Sequence, residues 1–294
     1  MSGFTSFAVV GAGGIGSFIV EELLQLKASN KIKSVVILTR SAKDNSNLDD
    51  FASRGAKITA VDYSSSSSLT SALSGIDVVI SAVGMGGMTA QLPLADAAKA
   101  AGVKLFIPTE FGNPTDDPSI IPEKSPLAVK VATQKKLKEL GLPYALFFTG
   151  PFSDFCFVPF LGIDLENGKA SVGGDGNALI SWTARPDIAR FLAYVVTELP
   201  PSKLEWAIFR IEGERASFNQ IFAAYEKKTG KKIDVAYRSA QELQDTIASN
   251  PHDFASRLHL SWSVGQGQVG KPEQVSNGAY PEWNPKDVLA VLAP

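Results

Sequence analysis

The sequence predicts a doubly wound α/β fold: a parallel sheet covered by helices on both faces, followed by a smaller C-terminal α/β region. Three observations lead there. Apolar, β-branched runs alternate with helical periodicity through the first half of the chain. A glycine cluster stands between the first such run and the first helix, in FAVVGAGGIGSFIVEELLQL. Beyond residue 150 the alternation loosens, which sets the expected division into residues 1–150 and 151–294, with interleaving of the two allowed.

Taken in order, Phe7–Val10 is the first strand and Gly14 to about Lys27 the first helix. Val35–Leu38, Lys57–Val61 and Asp77–Ser81 are the next three strands. Leu94–Ala101 is helical, and Val103–Pro108 is a fifth strand. A helix from Pro126 to about Leu140 precedes a sixth strand, Tyr144–Phe148. Ser125 is its expected N-cap, and Pro126 suits a first turn that needs no amide. Gly141 suits a left-handed C-cap, and Pro143 blocks continuation. Further on, Asp187–Leu199 reads as a helix. Ser217 and Gln220 form a capping box for another through Lys227, with a strand at Ile233–Tyr237. The five serines Ser64–Ser68 read as a polar surface loop or a helix entry.

Bulk properties narrow the function classes. In 294 residues, 45% hydrophobic and 20% charged residues are the profile of a soluble globular protein. The net charge of −2, with 28 basic against 30 acidic residues, lacks the basic excess of a nucleic-acid binder. Cys156 is the only cysteine, which excludes an internal disulfide and fits a reducing compartment. The start, MSGFTSFAVV, has no basic n-region, so a cytoplasmic location is expected. The apolar stretch Ala145–Leu165 is broken by Gly150, Pro151, Asp154 and Pro159, so it reads as a buried strand and pocket lining rather than a membrane span.

The glycine cluster carries the first functional signal. Gly11, Gly13 and Gly16 make G-x-G-x-x-G between a strand and a helix, the context of a Rossmann-type dinucleotide fold. Gly11 permits the tight turn, Gly13 lets backbone approach a pyrophosphate, and Gly16 permits close helix packing. Gly14, Ile15 and Gly16 supply amides at the helix N-terminus. The second strand then decides between dinucleotides. An NAD-preferring chain places a carboxylate at its end, whereas this one reads Thr39-Arg40-Ser41, and Lys43 adds charge. A guanidinium binds a 2′-phosphate through charge-assisted hydrogen bonds, so NADPH/NADP is the expected cofactor; a solvated surface arginine is the alternative.

Two familiar chemistries are absent. None of the six tyrosines has a lysine four residues later, so the Tyr-x-x-x-Lys pair of short-chain dehydrogenases is missing. His252 and His259 are the only histidines and belong to no ligand cluster; surface or packing roles are expected for both, and no metal.

Through QLPLADAAKAAGVKLFIPTEFGN (Gln91–Asn113) and SPLAVKVATQKKLKELGLPYALFFTGPF (Ser125–Phe152), the chain resembles the isoflavone reductase-like and phenylcoumaran benzylic ether reductase family. That family lies in the NmrA-like branch of atypical short-chain dehydrogenases. Its Pro-Ser-Glu-Phe-Gly appears as Pro108-Thr-Glu-Phe-Gly112, and its helix lysine, eleven residues before Gly-x-Pro-Tyr, matches Lys130 before Gly141. The resemblance implies that Lys130 is the acid–base group beside the nicotinamide. It also implies that Ala82, Val83 and Gly84 lie near the nicotinamide side, that Phe152 keeps an aromatic there, and that Asp62 contacts adenine. Lys130 shares a helical face with Leu127 and Leu137, and desolvation there would lower its pKa. Taken alone it reads first as a helix-edge lysine with its amine in water. The family's Gly-x-x-Gly-x-x-Gly is one residue shorter here, and Thr109 stands where serine is common.

Two functions follow. One is an NADPH-dependent reductase of a small, aromatic, phenylpropanoid-like substrate, with Phe155, Phe157 and Phe160 lining an apolar pocket. The other is a non-catalytic NmrA-like dinucleotide sensor acting through a protein partner. Lys130 in its family position favours the enzyme, because a sensor needs no proton donor there.

Overall fold

Buried strands make up most of the chain's main sheet, because a parallel sheet covered by helices has no solvated side. In the computed structural model, which describes residues 2–41, 46–121 and 125–294, β1 is Ser6–Val10, β2 Ser34–Thr39, β3 Lys57–Ala60, β4 Val78–Ser81 and β5 Leu105–Ile107. They form one sheet in the order β3-β2-β1-β4-β5, and every pairing in it is parallel. Register places Val10 beside Leu38 on one side and Ser81 on the other. The chain winds outward from β1 through β2 and β3, then crosses back to β4. The strand order therefore reverses between β1 and β4, where ligands bind in sheets of this kind. A sixth strand, β6 (Ala145–Phe148), follows a parallel bridge between Phe106 and Tyr144.

Helices α1 (Gly14–Ala28), α2 (Ser46–Ser53), α3 (Ser66–Ala72), α4 (Gln91–Ala100) and α5 (Ala128–Glu139) connect these strands. α1 buries Ile15, Ile19, Val20, Leu23 and Leu24, the i, i+4 stripe of an amphipathic helix. α2 has no counterpart in the sequence reading: its SNLDDFAS offers only Leu48 and Phe51 as buried anchors. The serine run proves to be a helix entry, with Ser65 Oγ accepting the Ser68 amide. α5 starts later than its expected Ser125 cap. Ser125 closes a separate turn over Pro126, its Oγ accepting the Leu127 amide at 3.2 Å and its carbonyl the Ala128 amide at 2.9 Å. At the other end Gly141 takes φ +56°, the left-handed conformation expected of it.

The described chain forms two compact units, each assembled from separate stretches. The first holds Met1–Glu110, Thr115–Phe147 and Ala189–Phe209; the second holds Phe111–Pro114, Phe148–Ile188 and Arg210–Pro294. The second unit contains the remaining short strands: β7 (Ile163–Asp164), β8 (Lys169–Gly173), β9 (Ile180–Trp182), β11 (Glu214–Ala216) and β12 (Asp234–Arg238). β10 (Ala207–Arg210) pairs with β6. Helix α6 (Arg185–Glu198) carries the chain from the second unit back into the first. The second unit's core is aromatic: Trp182 packs on Phe157, Phe218 and Trp262 at centroid distances of 5.0, 5.5 and 5.9 Å. Helix α7 (Phe218–Thr229) opens with the expected Ser217–Gln220 capping box and ends at Gly230 with φ +73°; α8 (Ala240–Ser249), α9 (Phe254–Ser263) and α10 (Val288–Leu292) complete the unit. Among the described residues no helix is long and apolar enough to cross a membrane, and no cluster of three or more His, Cys, Asp or Glu side chains could hold a metal.

Candidate functional site

Gly11 leaves β1 with φ +92°, a conformation that L side chains avoid, and a β-carbon there would stand 3.1 Å from the Ala82 carbonyl oxygen. Gly16, in the first turn of α1, is more tightly confined: a β-carbon would lie 2.0 Å from the Gly11 oxygen and 3.0 Å from the Ala82 Cβ. These two glycines therefore close the turn against β1 and the end of β4. Gly13 and Gly14 differ, since among the described residues a β-carbon on either would meet no atom within 4 Å. Neither has a left-handed backbone, so neither fold nor packing requires glycine at these two positions. The bare surface lies at the start of α1, which has no side-chain cap and no acidic residue in its first turn. Unsatisfied amides, positive helix potential and open space suit a phosphate. Ile15 contributes through its backbone, its side chain being buried in the core.

At the end of β2, Thr39 Oγ1 donates to the Ser41 carbonyl at 2.9 Å and shapes the turn that presents Arg40. Arg40 is exposed, and among the described residues no hydrogen bond or ion pair engages its guanidinium. It lies within electrostatic range of Tyr63; burial pushes that phenol above its ordinary range and Arg40 draws it back. Lys43 lies outside the described residues. Asp62 follows β3 and is exposed, its Oδ1 taken by the Ser64 amide at 2.8 Å and the Ser64 hydroxyl at 2.6 Å, which hold its carboxyl below the usual range.

Ala82, Val83 and Gly84 leave the end of β4, where the Ala82 amide donates to the Val10 carbonyl at 2.9 Å. The Val83 carbonyl accepts from Thr109 Oγ1 at 2.9 Å, and the Thr109 amide donates to Gln91 Oε1 at 2.8 Å. The Pro108–Gly112 motif after β5 is thereby tied to the loop after β4. Gln91 is a buried member of this set that sequence reasoning did not single out, and among the described residues its Nε2 has no partner.

Lys130 is buried on α5, on the face that also buries Thr133, Gln134 and Leu137. Its Nζ donates to the Glu110 main-chain carbonyl at 2.5 Å and lies 3.6 Å from Glu110 Oε2. The Glu110 carboxylate is fully buried; Thr115 Oγ1 donates to Oε2 and Gln134 Nε2 to Oε1, each at 2.8 Å. Burial pushes the Lys130 amine below its usual range, and the neighbouring Glu110 carboxylate opposes that shift. Phe111, immediately after Glu110, has φ +34°. A bulky residue there costs about 1–3 kcal/mol, local strain of the sort found at functional sites. Glu110, Thr115 and Gln134 were missed as partners of Lys130. The one available signal was Gln134, one helical turn beyond it on the same face.

Phe152 belongs to the second unit, where it bridges to Thr183. The expected lining Phe155, Phe157 and Phe160 is not brought together. Phe157 packs on Trp182, while Phe155 is 51% and Phe160 75% exposed. The short 3-10 turn Pro159–Leu161 buries Leu161 and leaves Phe160 facing out. An open groove of about 330 Å³ in this unit is lined instead by Ser153, Asp154, Phe157, Leu165, Tyr225, Val291 and Leu292.

The whole molecule also has relatives. The model of the NmrA-like family matches residues 5–277. An isoflavone reductase homolog of Nicotiana glauca is 30% identical over 264 residues, 86% of this chain and 83% of that protein. A phenylcoumaran benzylic ether reductase of Ginkgo biloba is 30% identical over 273 residues, 89% and 87% of the two chains. In three dimensions the chain is similar to the binary complex of leucoanthocyanidin reductase with NADPH from Vitis vinifera. The TM-score is 0.79 at 20% identity, over 98% of this chain and 99% of that one.

Proposed function

The chain belongs to the NmrA-like family, and from that premise we propose that it is a cytoplasmic NADPH-dependent reductase of a small aromatic, phenylpropanoid-like substrate, with Lys130 as its acid–base group. The observation that carries this reading is the buried Lys130 amine, held at the end of β5 in the same sheet whose β1 turn leaves room for a phosphate. Two relatives bear the names of reductases, and the Vitis vinifera protein was solved with NADPH.

The cradle fits that cofactor. The amides of Gly14, Ile15 and Gly16 would hold the pyrophosphate over the open surface of Gly13 and Gly14. Arg40 would bind the 2′-phosphate, with Thr39 and Ser41 shaping its turn. Ala82, Val83 and Gly84 would flank the nicotinamide side, and Asp62 the adenine. NADPH, when bound, supplies a hydride. Lys130 moves a proton at the substrate's oxygen: burial keeps its amine from water and lowers its pKa, which eases loss of the proton, while Glu110 opposes that shift. A dinucleotide sensor acting through a protein partner has no use for such an amine.

The test is side-by-side titration of NADPH, NADP⁺, NADH and NAD⁺, followed by NADPH consumption with a panel of phenolic ethers, quinones and enones. Preference for the phosphorylated cofactor together with turnover of an aromatic substrate is the expected result. Equal binding of all four forms, with no consumption, would overturn the reductase in favour of the sensor.

A further inference from the structure

Lys130 and Glu110 are twenty residues apart in sequence, yet two different atoms of Glu110 face one amine. The main-chain carbonyl accepts a hydrogen bond at 2.5 Å, and carboxylate Oε2 lies 3.6 Å away. An ammonium has three donors, so this grip leaves hydrogen for a further acceptor. The carboxylate is itself fixed, since each of its oxygens accepts a bond from a neutral donor, Thr115 or Gln134. Gln134 Nε2 also donates to Thr115 Oγ1 at 2.9 Å, which closes a buried ring of polar groups around one charge.

We propose that Glu110 is the positioning residue for Lys130: its carboxylate and its own carbonyl hold the amine in place and in charge, and Thr115 and Gln134 fix the carboxylate for that task. This rests on the reductase reading for its purpose, but not for its geometry. A lone amine this deeply buried would shed its proton to escape desolvation. Among the described residues, Glu110 is the one charged group bearing on Lys130; the others around it, Thr115, Thr133 and Gln134, are neutral. Glu110 therefore sets the pH at which the amine changes from proton donor to acceptor. The strained backbone at Phe111 fits the same arrangement, because the torsion there helps to aim the Glu110 carbonyl.

The decisive experiment is competitive acetylation of the full-length chain with acetic anhydride across a pH series, with labelling of Lys130 read by mass spectrometry. Glu110→Gln keeps the shape and removes the charge. Its Lys130 labelling midpoint should fall by one pH unit or more, an increase of about tenfold in the neutral amine below the midpoint. Glu110→Asp keeps the charge on a shorter arm and should give an intermediate midpoint, and it serves alone if the Gln variant fails to fold. Midpoints equal to wild type in both variants would overturn the proposal. The labelling needs neither cofactor nor turnover. A chain that reduces nothing yet shows the shift upholds the Glu110–Lys130 pairing while the reductase reading falls. Where a substrate is turned over, the pH profile of kcat/KM should move with the labelling midpoint while the KM for NADPH stays constant.

Discussion

Gly16 packs so closely on Gly11 that a β-carbon would lie 2.0 Å from the Gly11 carbonyl oxygen. No real β-carbon tolerates that contact with backbone, so Gly16→Ala must push α1 away from the turn. The expected cost is about 1–3 kcal/mol of stability, as for an overpacked core, with weakened NADPH binding. Gly13→Ala is the contrast. Among the described residues its β-carbon meets no atom within 4 Å, and its extended backbone at φ −91° is open to alanine, so stability should stay at the wild-type level while NADPH affinity falls. Thermal denaturation and cofactor titration of the two variants separate fold from ligand. Equal NADPH affinity in wild type and Gly13→Ala would refute the phosphate assignment of this surface.

Arg40 is exposed and engaged by no described partner. Arg40→Ala should therefore leave stability unchanged and weaken NADPH by about 1.5–3 kcal/mol, the range for a hydrogen bond to a charged group. NADH affinity should remain constant. A parallel loss for both cofactors would show that Arg40 does not read the 2′-phosphate.

Lys130→Met leaves the Glu110 carboxylate buried without its counter-charge. Breaking such a pair on one side costs about 3–5 kcal/mol. Adding Glu110→Gln should recover most of that loss in urea denaturation, while reductase turnover stays down by about 10²–10⁴-fold, the usual contribution of acid–base catalysis. A double variant no more stable than the single one would contradict the coupling.

His259 gives a pH dependence of known sign. It is buried in the second unit, where the Gly173 amide donates to Nδ1 at 3.3 Å and Nε2 lies 2.8 Å from the Leu161 carbonyl, so the neutral Nε2–H tautomer satisfies both. Burial holds its pKa below the ordinary 6.5. In the window below 6.5 the unfolded chain binds the proton and the folded chain does not. Its contribution is then whole above pH 6.5 and is lost as pH falls towards the lowered folded value. Denaturation midpoints of wild type should fall between pH 7 and pH 5 more steeply than those of His259→Gln, by up to about 1.4 kcal/mol per pH unit. Identical slopes would refute it.

Local chemistry made much of this molecule legible in its sequence. The β1–turn–α1 unit follows from an apolar run and three glycines, and the ends of α5 and α7 from Gly141 and from Ser217 with Gln220, because each depends on residues within a few positions of one another. Arg40 could be named for the same reason, by its place at a strand end, whereas Lys130 stood out through the family resemblance, since its helix face alone suggested a helix-edge lysine. The tertiary structure decided what depends on distant segments meeting. Only the packing of α5 beside the end of β5 brings Glu110, Thr115 and Gln134 to Lys130. Only the return of the chain through α6 assigns Ala189–Phe209 to the first unit. Aromatic residues two to five apart between Phe155 and Phe160 looked alike as pocket lining, yet Phe157 is packed and Phe160 is out in solvent. Hydrophobicity in an irregular segment has no period, so its side chains take their direction from the surfaces they meet.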